Sequence, residues 1–423
     1  MSKKEKKKND DFLAEEAKEM DAQAPEHELD IPDSEIWTYQ IEGLQAPAIN
    51  VSYKGQRLKK LIVVAILVVA ISISMFFSVR IVHNTEYTFK MLDDGTCELV
   101  RFSNPGDVKD LVIDYYVDSK TGEKNHEIPV SSIGEYALNC DEVISTITLG
   151  KDVKSYDPKA IYSCWWIINV FVDDENPYLC DVDGVLYNKD LTEVIFYPND
   201  HDKYLRLKNG YAELDENGEI RSLLVDDKGE YMEELWGPTE KYDEAYFAKY
   251  NDEVRTYSLP STVVKIGDLA FAYSNVRTIY IPDAVTEIGM MGFFKCQIAE
   301  LNSYIGELKG GDAVVPGEGC AVYPSLPESL ERLGSDAFTY DSQLTYLYLP
   351  ASLSYIGHHA FFETVVRGDD GISGITAVNC ARSEDEFKAV ETGDEWAPKY
   401  NNGILIKAVE KVYSAQREDT AQS

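Results

Sequence analysis

The side chains of this chain that could carry chemistry are its cysteines, its histidines and its acidic turns. The cysteines number seven, so they cannot all pair internally, and none lies in the C-x-x-C spacing of a zinc site or a thioredoxin-like protein. Cys140, Cys164 and Cys296 each follow the start of a repeated signature by seven or eight residues, a spacing that homologous turns share. His358 and His359 are adjacent, and we expect this pair to face solvent on at least one side.

Acidic residues beside glycine suggest calcium loops in residues 93–95, 181–184 and 226–229. None completes the pattern that surrounds a calcium ion with oxygen atoms. Asp-Gly between alternating apolar residues is instead typical of a hairpin turn. The chain also lacks the G-x-S-x-G, H-E-x-x-H and P-loop motifs. We therefore predict no catalytic residue, no cofactor and no metal site, and no enzyme activity.

The elements that position these residues repeat along the chain. Five segments share one signature: IGEYAL, IGDLAF, IGMMGF, LGSDAF and IGHHAF, which begin at Ile133, Ile266, Ile288, Leu333 and Ile356. A sixth segment, YDPKAI at Tyr156, keeps the apolar positions but loses the glycine. The starts are 23 residues apart from Ile133 to Tyr156, 22 from Ile266 to Ile288 and 23 from Leu333 to Ile356, within the period of leucine-rich repeats. The interval of 45 residues between Ile288 and Leu333 is about two periods, which suggests a degenerate unit there.

Four apolar runs that follow the signatures alternate with period two and predict strands: TITL, NVFV, TIYI and YLYL. The expected fold is a β-rich leucine-rich repeat solenoid, with a short strand plus turns per repeat of 22–23 residues, after a single transmembrane α-helix. The residues expected in its core are Ile133, Leu138, Ile147, Leu149, Val170, Val172, Ile266, Phe271, Ile279, Ile281, Ile288, Phe293, Leu333, Phe338, Leu347, Leu349, Ile356 and Phe361.

The transmembrane helix is predicted at residues 61–79, which contain no charge, proline or glycine. At about 1.5 Å per residue this segment spans roughly the hydrocarbon core of a bilayer. A signal peptide would begin nearer the N-terminus, and a soluble core helix would carry a polar stripe. Four basic residues lie within residues 54–60, whereas only Arg80 follows the segment closely. We therefore expect a single-pass protein of the cell membrane, with a cytoplasmic N-terminus and an extracellular C-terminal domain.

The net charge of −34 belongs mostly to the outer part, since residues 1–60 hold thirteen acidic and ten basic side chains. So acidic a domain excludes nucleic acid as a partner and favours a basic or cation-bridged one. The composition of residues 1–60 is typical of a disordered segment. This tail is either a docking segment for lipid and protein or a solvated leader.

These repeats resemble the BspA-type leucine-rich repeats of bacterial surface proteins, whose unit is similar to IP-x-x-V-x-x-IG-x-x-AF-x-x-C-x-x-L-x-x-I-x. Residues 91–102 look like the N-terminal cap of that family, residues 174–198 like its hairpin insertion, and residues 381–390 like its closing helix. The resemblance covers roughly residues 87–392 with gaps. It implies that Cys140, Cys164 and Cys296 are buried core positions, and that the protein is a membrane-anchored adhesion or recognition protein.

The predicted organisation has seven parts. They are a disordered cytoplasmic tail (1–60), the transmembrane helix (61–79), a juxtamembrane cap (84–127), a first repeat block with a hairpin insertion (128–202), an insertion or degenerate repeats (203–256), a second repeat block (257–392) with an insertion at 302–325, and a C-terminal tail (393–423).

Outward strand positions are the predicted partner-binding site. Phe171, Tyr280 and Tyr348 occupy the same position in different units, and Trp165, Trp166 and Tyr346 flank them. Such a column would suit an extracellular protein or glycan. Strand propensity alone also favours aromatic residues there. The leading hypothesis is non-catalytic adhesion or recognition, and the alternative is a transmembrane sensor that couples ligand binding to the tail.

Overall fold

The computed structural model describes residues 86–103, 108–118, 120–139, 144–161, 164, 166–306, 320–368, 371–375, 377–401, 406–408 and 410–412. The predicted tail and transmembrane segment, residues 1–79, lie outside these residues. Within the described part of the chain, no helix is both long enough and apolar enough to cross a bilayer.

The N-terminal repeats stack through two parallel ladders of short strands. Their strands are β1 (Glu86–Met91), β2 (Cys97–Ser103), β3 (Asp110–Ile113), β4 (Tyr115–Val117), β5 (Lys124–Ile133), β6 (Leu138–Asn139), β7 (Thr146–Leu149), β8 (Ser155–Tyr156) and β9 (Asn169–Val172). The hairpin of β1 and β2 covers one end, and β2, β5 and β8 form one ladder. Strands β3, β7 and β9 form the other, in which Leu149 pairs with Ile113 and Val172. The alternation of apolar residues in TITL and NVFV therefore corresponds to two neighbouring strands.

An antiparallel meander separates this half from the next one. It consists of β10 (Leu179–Val182), β11 (Val185–Asn188) and β12 (Glu193–Phe196). Asp183 and Gly184 make the turn between β10 and β11, both with positive φ, as a two-residue hairpin requires. Leu186 and Phe196 pack into the N-terminal core, whereas Tyr187 packs into the C-terminal core. The meander is therefore a shared wall between two hydrophobic cores.

Residues 201–255 form an insertion with a small core of its own. Its elements are α1 (His201–Lys208), β13 (Ala212–Leu214), β14 (Ile220–Ser222), α2 (Glu244–Tyr250) and one π-helical turn (Asn251–Arg255). The Asp243 carboxylate caps α2 by accepting the Tyr246 N–H at 2.9 Å. The core of the insertion contains Tyr211, Leu224, Leu235, Tyr242, Tyr250 and Val254.

Two buried arginines tie this insertion together. The Arg206 guanidinium lies 3.2 Å from the Asp202 carboxylate, and both side chains are buried. The Arg255 guanidinium lies 2.6 Å from Glu234 and stacks on Trp236, 4.4 Å from the ring centre. Charges this deeply buried need such partners, because an unpaired charge pays a large desolvation penalty.

The C-terminal half contains the remaining repeats. Its strands are β15 (Thr256–Ser258), β16 (Lys265–Ile266), β17 (Thr278–Pro282), β18 (Glu287–Ile288), β19 (Glu300–Ile305), β20 (Ala321–Tyr323), β21 (Arg332–Leu333), β22 (Leu347–Leu349), β23 (Tyr355–Ile356), β24 (Val365–Gly368), β25 (Gly371–Gly374), β26 (Ala377–Cys380), β27 (Glu391–Thr392), β28 (Lys399–Asn401), β29 (Ile406–Ala408) and β30 (Glu410–Val412). One helical turn, α3 (Glu384–Phe387), begins with a capping box formed by Ser383 and Glu386.

The signature residues form one continuous parallel ladder through this half. Strand β12 pairs directly with β16, so the ladder continues across the insertion at 201–255. Strands β16, β18, β21, β23 and β27 follow in order. Ile288 pairs with Leu333 across the interval of 45 residues. The expected degenerate unit is therefore wrong for this ladder, because β18 and β21 are immediate neighbours and leave no room for another rung.

The signature phenylalanines stack on one another inside this half. Ring centres are 5.1 Å apart for Phe271 and Phe293, 5.0 Å for Phe293 and Phe338, and 5.3 Å for Phe338 and Phe361. Tyr197 of the meander extends the stack to Phe271. All eighteen residues expected in the repeat core are buried.

The glycine of the signature is required by close approach between rungs. A methyl group on Gly334 would overlap the backbone of Gly289, and one on Gly357 would overlap the backbone of Gly334 and Ser335. Two residues after the signature glycine, a residue other than glycine has the left-handed backbone conformation, for example Met291 with φ 55°. Tight turns of this kind let strands of only two residues stack in register.

The second ladder of this half is interrupted, unlike the first. Strands β15, β17 and β19 pair in parallel, but β19 then pairs with β20 in an antiparallel hairpin. Parallel pairing resumes with β22, β26 and β30. The additional residues between Ile288 and Leu333 are thus accommodated on this side of the stack only.

Candidate functional site

The predicted aromatic column is not continuous in the structure. Phe171 lies on β9, where its register neighbour is Thr148. Tyr280 lies on β17 between Ser258 and Asn302. Tyr348 lies on β22 beside Asn379. The three rings belong to three separate ladders, because the meander and the hairpin of β19 and β20 lie between them.

The flanking aromatic residues also separate. Trp165 lies outside the described residues. Trp166 is exposed, and the Lys203 ammonium lies 5.0 Å from its ring centre. Tyr346 and Tyr348 are the two members of the predicted set that the structure brings into one site.

That site is a cleft of about 370 Å³ at the interruption of the second ladder. It lies where β19 turns away into β20 and where β22 begins the next parallel ladder. The residues that line it are Asp283, Ser303, Ile305, Tyr323, Pro324, Ser325, Glu328, Tyr346 and Tyr348. The volume is at the lower end of the range of roughly 300–1,000 Å³ for ligand pockets in proteins.

Hydrogen bonds join several of the residues that line the cleft. The Glu328 N–H donates to the Asp283 carboxylate at 2.7 Å, across 45 residues of sequence. The hydroxyl oxygens of Ser303 and Ser325 lie 3.2 Å apart. The buried Tyr304, next to Ser303 in the chain, donates its hydroxyl to the Leu259 carbonyl at 2.6 Å. These contacts join three segments of the chain, so the cleft is held by the repeat stack rather than by one loop.

The chemical character of the cleft is aromatic and acidic. Tyr323 and Tyr346 are largely exposed, and Tyr348 is half-buried. Asp283 and Glu328 contribute carboxylates, and none of the described lining residues is basic. Ser303 and Ser325 have no histidine or other base among the described lining residues, so the hydroxyl pair resembles no nucleophile–base arrangement.

A second aromatic cluster was missed by the sequence reasoning. Tyr273, Phe294, Tyr340 and Phe362 form an edge-to-face row along the turns that follow the signature, with ring centres 5.4–6.4 Å apart. The Lys295 ammonium lies 5.0 Å from the Tyr340 ring and 5.6 Å from Tyr273. The sequence shows this pattern in FAY, FFK, FTY and FFE, where an aromatic residue one or two positions after the buried phenylalanine recurs with the repeats.

Two of the described cysteines, Cys97 and Cys296, are buried thiols of low reactivity at neutral pH. Burial raises the pKa of Cys97 to about 11 and that of Cys296 further. Such thiols stay protonated and are poor nucleophiles. Cys164 is buried as expected, but it is disulfide-bonded, which corrects its interpretation as a small apolar residue alone.

The match to a family model decides the identity of the repeats. Residues 240–307 and 321–368 match the model of the BspA type leucine rich repeat region, in six copies. These residues carry BspA-type leucine-rich repeats. The resemblance predicted from the sequence is therefore confirmed for these residues, which contain the phenylalanine stack and every residue that lines the cleft. No curated protein sequence is similar enough to the chain to count as a relative.

Solved structures with similarity to these BspA-type repeats come from several bacteria. The pneumococcal vaccine antigen PcpA is 13% identical, with 80% of this chain and 94% of that chain covered and a TM-score of 0.38. A leucine-rich repeat protein from Eubacterium ventriosum is 13% identical, with 74% and 83% covered and a TM-score of 0.35. One from Bacteroides ovatus is 15% identical, with 73% and 66% covered and a TM-score of 0.31. None of these scores is high enough to establish a shared architecture.

Proposed function

We propose that the protein is a non-catalytic recognition protein whose BspA-type repeats form a solenoid and bind an extracellular protein or glycan in the tyrosine cleft. In this proposal residues 61–79 cross the cell membrane once, residues 1–60 are cytoplasmic, and the repeats are outside. The partner is bound for adhesion or recognition, and no nucleic acid is involved.

One observation carries the proposal. The cleft is a concave site in which three tyrosine rings converge at an interruption of an otherwise regular stack. Tyrosine offers a large contact area and a hydroxyl group at low entropic cost, so it is favoured where proteins bind partners. The parallel ladders on either side support a solenoid, since each rung is covered mainly by its neighbours.

Topology is tested first, because an extracellular partner requires extracellular repeats. Intact cells are treated with an added protease, and the peptides that disappear are identified by mass spectrometry. We expect loss of peptides after residue 84 and survival of peptides from residues 1–60. Protection of the repeat region would contradict the proposed orientation and with it the adhesion hypothesis.

Binding is tested with the full chain on the cell surface, using immobilised extracellular matrix proteins and a glycan array. We expect Tyr346→Ala to reduce binding to whichever partner the wild-type chain captures. Tyr178→Ala is the matched control, since Tyr178 is 45% exposed and Tyr346 is 46% exposed, and Tyr178 lies outside the cleft. Equal capture by both variants would exclude the cleft as the binding site.

A further inference from the structure

We infer that the cleft binds the cationic side chain of a lysine or arginine in a basic segment of a partner protein. The inference rests on the proposed function and narrows its partner from protein or glycan to a basic protein segment. Three observations support it. They are the acidic lining of the cleft, the lack of a basic neighbour at Tyr323 and Tyr346 in the described part of the chain, and the volume of the cleft.

The charges of the cleft favour a cation. Asp283 and Glu328 are the ionisable carboxyl groups of its lining, and no lysine, arginine or histidine is among the described lining residues. The Asp283 carboxylate accepts one backbone N–H, from Glu328, which leaves capacity for further donors. The whole chain has a net charge of −34, so long-range attraction acts in the same direction. An anionic glycan would be repelled, and a neutral one would gain nothing from this field.

Several tyrosines elsewhere in the described part of the chain have a basic side chain over the ring. Tyr340 has the Lys295 ammonium 5.0 Å from its ring centre, and Tyr231 has the Arg221 guanidinium 4.0 Å away. A half-buried ring, Tyr355, has Arg332 at 4.4 Å. Tyr323 and Tyr346 have no such basic neighbour within the part of the chain that the structure describes. A ring that faces a cation is stabilised through its quadrupole, and two rings beside two carboxylates form a receptor for one.

The size and floor of the cleft fit one long side chain. About 370 Å³ accommodates a lysine or arginine with part of its backbone, but not an extended oligosaccharide. The hydroxyl groups of Ser303 and Ser325 add acceptors for an ammonium or guanidinium group. The apolar stem of the ligand would lie against Ile305 and Pro324, as lysine and arginine stems commonly do on apolar surface.

The probe is a fluorescent peptide of alternating lysine and glycine, titrated into the purified full chain in detergent by fluorescence anisotropy. Matched peptides carry glutamine or acetyl-lysine in place of lysine. We expect Glu328→Gln and Tyr346→Ala each to weaken binding of the lysine peptide by about threefold to tenfold. Binding should also weaken as salt rises from low to physiological concentration, because the charges are partly exposed.

Two controls separate the cleft from general attraction to an acidic chain. Glu216→Gln removes an exposed carboxylate from the turn between β13 and β14, and Tyr178→Ala removes an exposed ring. Both should leave binding within about twofold of the wild type. Equal loss with Glu216→Gln and Glu328→Gln would overturn the inference, as would equal binding of the acetyl-lysine peptide. Circular dichroism of each variant confirms that the fold is retained.

The glycan array distinguishes failure of this inference from failure of the proposed function. Capture of a neutral glycan that depends on Tyr346 but not on Glu328 or on salt would overturn the cationic ligand and leave the recognition cleft standing. If Tyr346→Ala changes the capture of no partner, both the cleft and its cationic ligand are refuted.

Discussion

The phenylalanine stack allows a test of the repeat register across the interval of 45 residues. Phe293 and Phe338 are fully buried, with ring centres 5.0 Å apart and ring planes inclined by 19°. The perturbation is the pair of changes Phe293→Leu and Phe338→Leu, made singly and together. Leucine keeps each position apolar but removes the ring–ring interaction, which contributes about 0.5–1.5 kcal/mol beyond area burial.

We therefore expect the double change to destabilise the protein by about 0.5–1.5 kcal/mol less than the sum of the single changes. The free energy of unfolding is obtained from urea denaturation followed by far-ultraviolet circular dichroism. Phe271 and Phe361 are the control pair, because they lie in the same stack but share no ring neighbour. Their changes should add within about 0.5 kcal/mol.

The result that would refute the reasoning is equal coupling in the two pairs. A degenerate repeat between Ile288 and Leu333 would separate Phe293 from Phe338 by one rung, and their coupling would then fall to the level of the control pair. A measured difference between the pairs therefore supports direct contact of the two units.

Four further predictions concern the stability of the repeats and of the insertion. Gly334→Ala should cost about 1–3 kcal/mol in urea denaturation, since the new methyl group overlaps the backbone of the neighbouring rung, whereas Gly237→Ala, with open space around it, should change little. His201 is buried with a pKa lowered from 6.5 to about 4 by desolvation, so it is neutral when folded. As the pH falls, the His201 side chain is protonated in the unfolded chain before it is protonated in the folded chain. The free energy of unfolding should therefore fall by roughly 3 kcal/mol as the pH drops from 6.5 to 4. The His201→Gln variant should not show this loss. Burial raises the pKa of the Asp341 carboxyl group well above its usual value, so its ionisation disfavours the fold as the pH rises; Asp341→Asn should raise Tm at pH 7, with a gain that shrinks toward pH 4. Reduction of the Cys164 disulfide should cost about 2–4 kcal/mol, and a Cys164→Ser variant should no longer respond to the reductant.

The repeat pattern could be predicted because its physical basis is local. Ile147, Leu149, Ile279 and Ile281 alternate with polar or aromatic residues over four positions, and a strand exposes alternate side chains on opposite faces. Recurrence of the same signature every 22 or 23 residues then predicts stacking of equivalent strands. The Asp183–Gly184 turn was also predicted from local sequence, because Asp-Gly between alternating apolar residues is typical of a hairpin turn. Both residues have positive φ in the structure, as such a turn requires.

The candidate site could be predicted only in part. Tyr348 was identified as an outward strand residue and Tyr346 as an aromatic residue that flanks it, and both lie in the cleft. Tyr323, Asp283 and Glu328 could not be assigned to the same site, because they belong to other segments of the chain. Their meeting depends on the hairpin of β19 and β20, which has no repeat signature.

The sequence by itself determined which residues face the core and how often the unit recurs, since both depend on side-chain periodicity within a few residues. Only the tertiary structure decided which units are neighbours. The spacing between two signatures is only the number of residues between them along the chain. Which strands are neighbours in a ladder depends on hydrogen bonds and ring contacts between distant segments, such as Ile288 with Leu333. Additional residues can therefore leave one ladder intact and open a cleft in the other, and that difference places the tyrosines of the proposed binding site together.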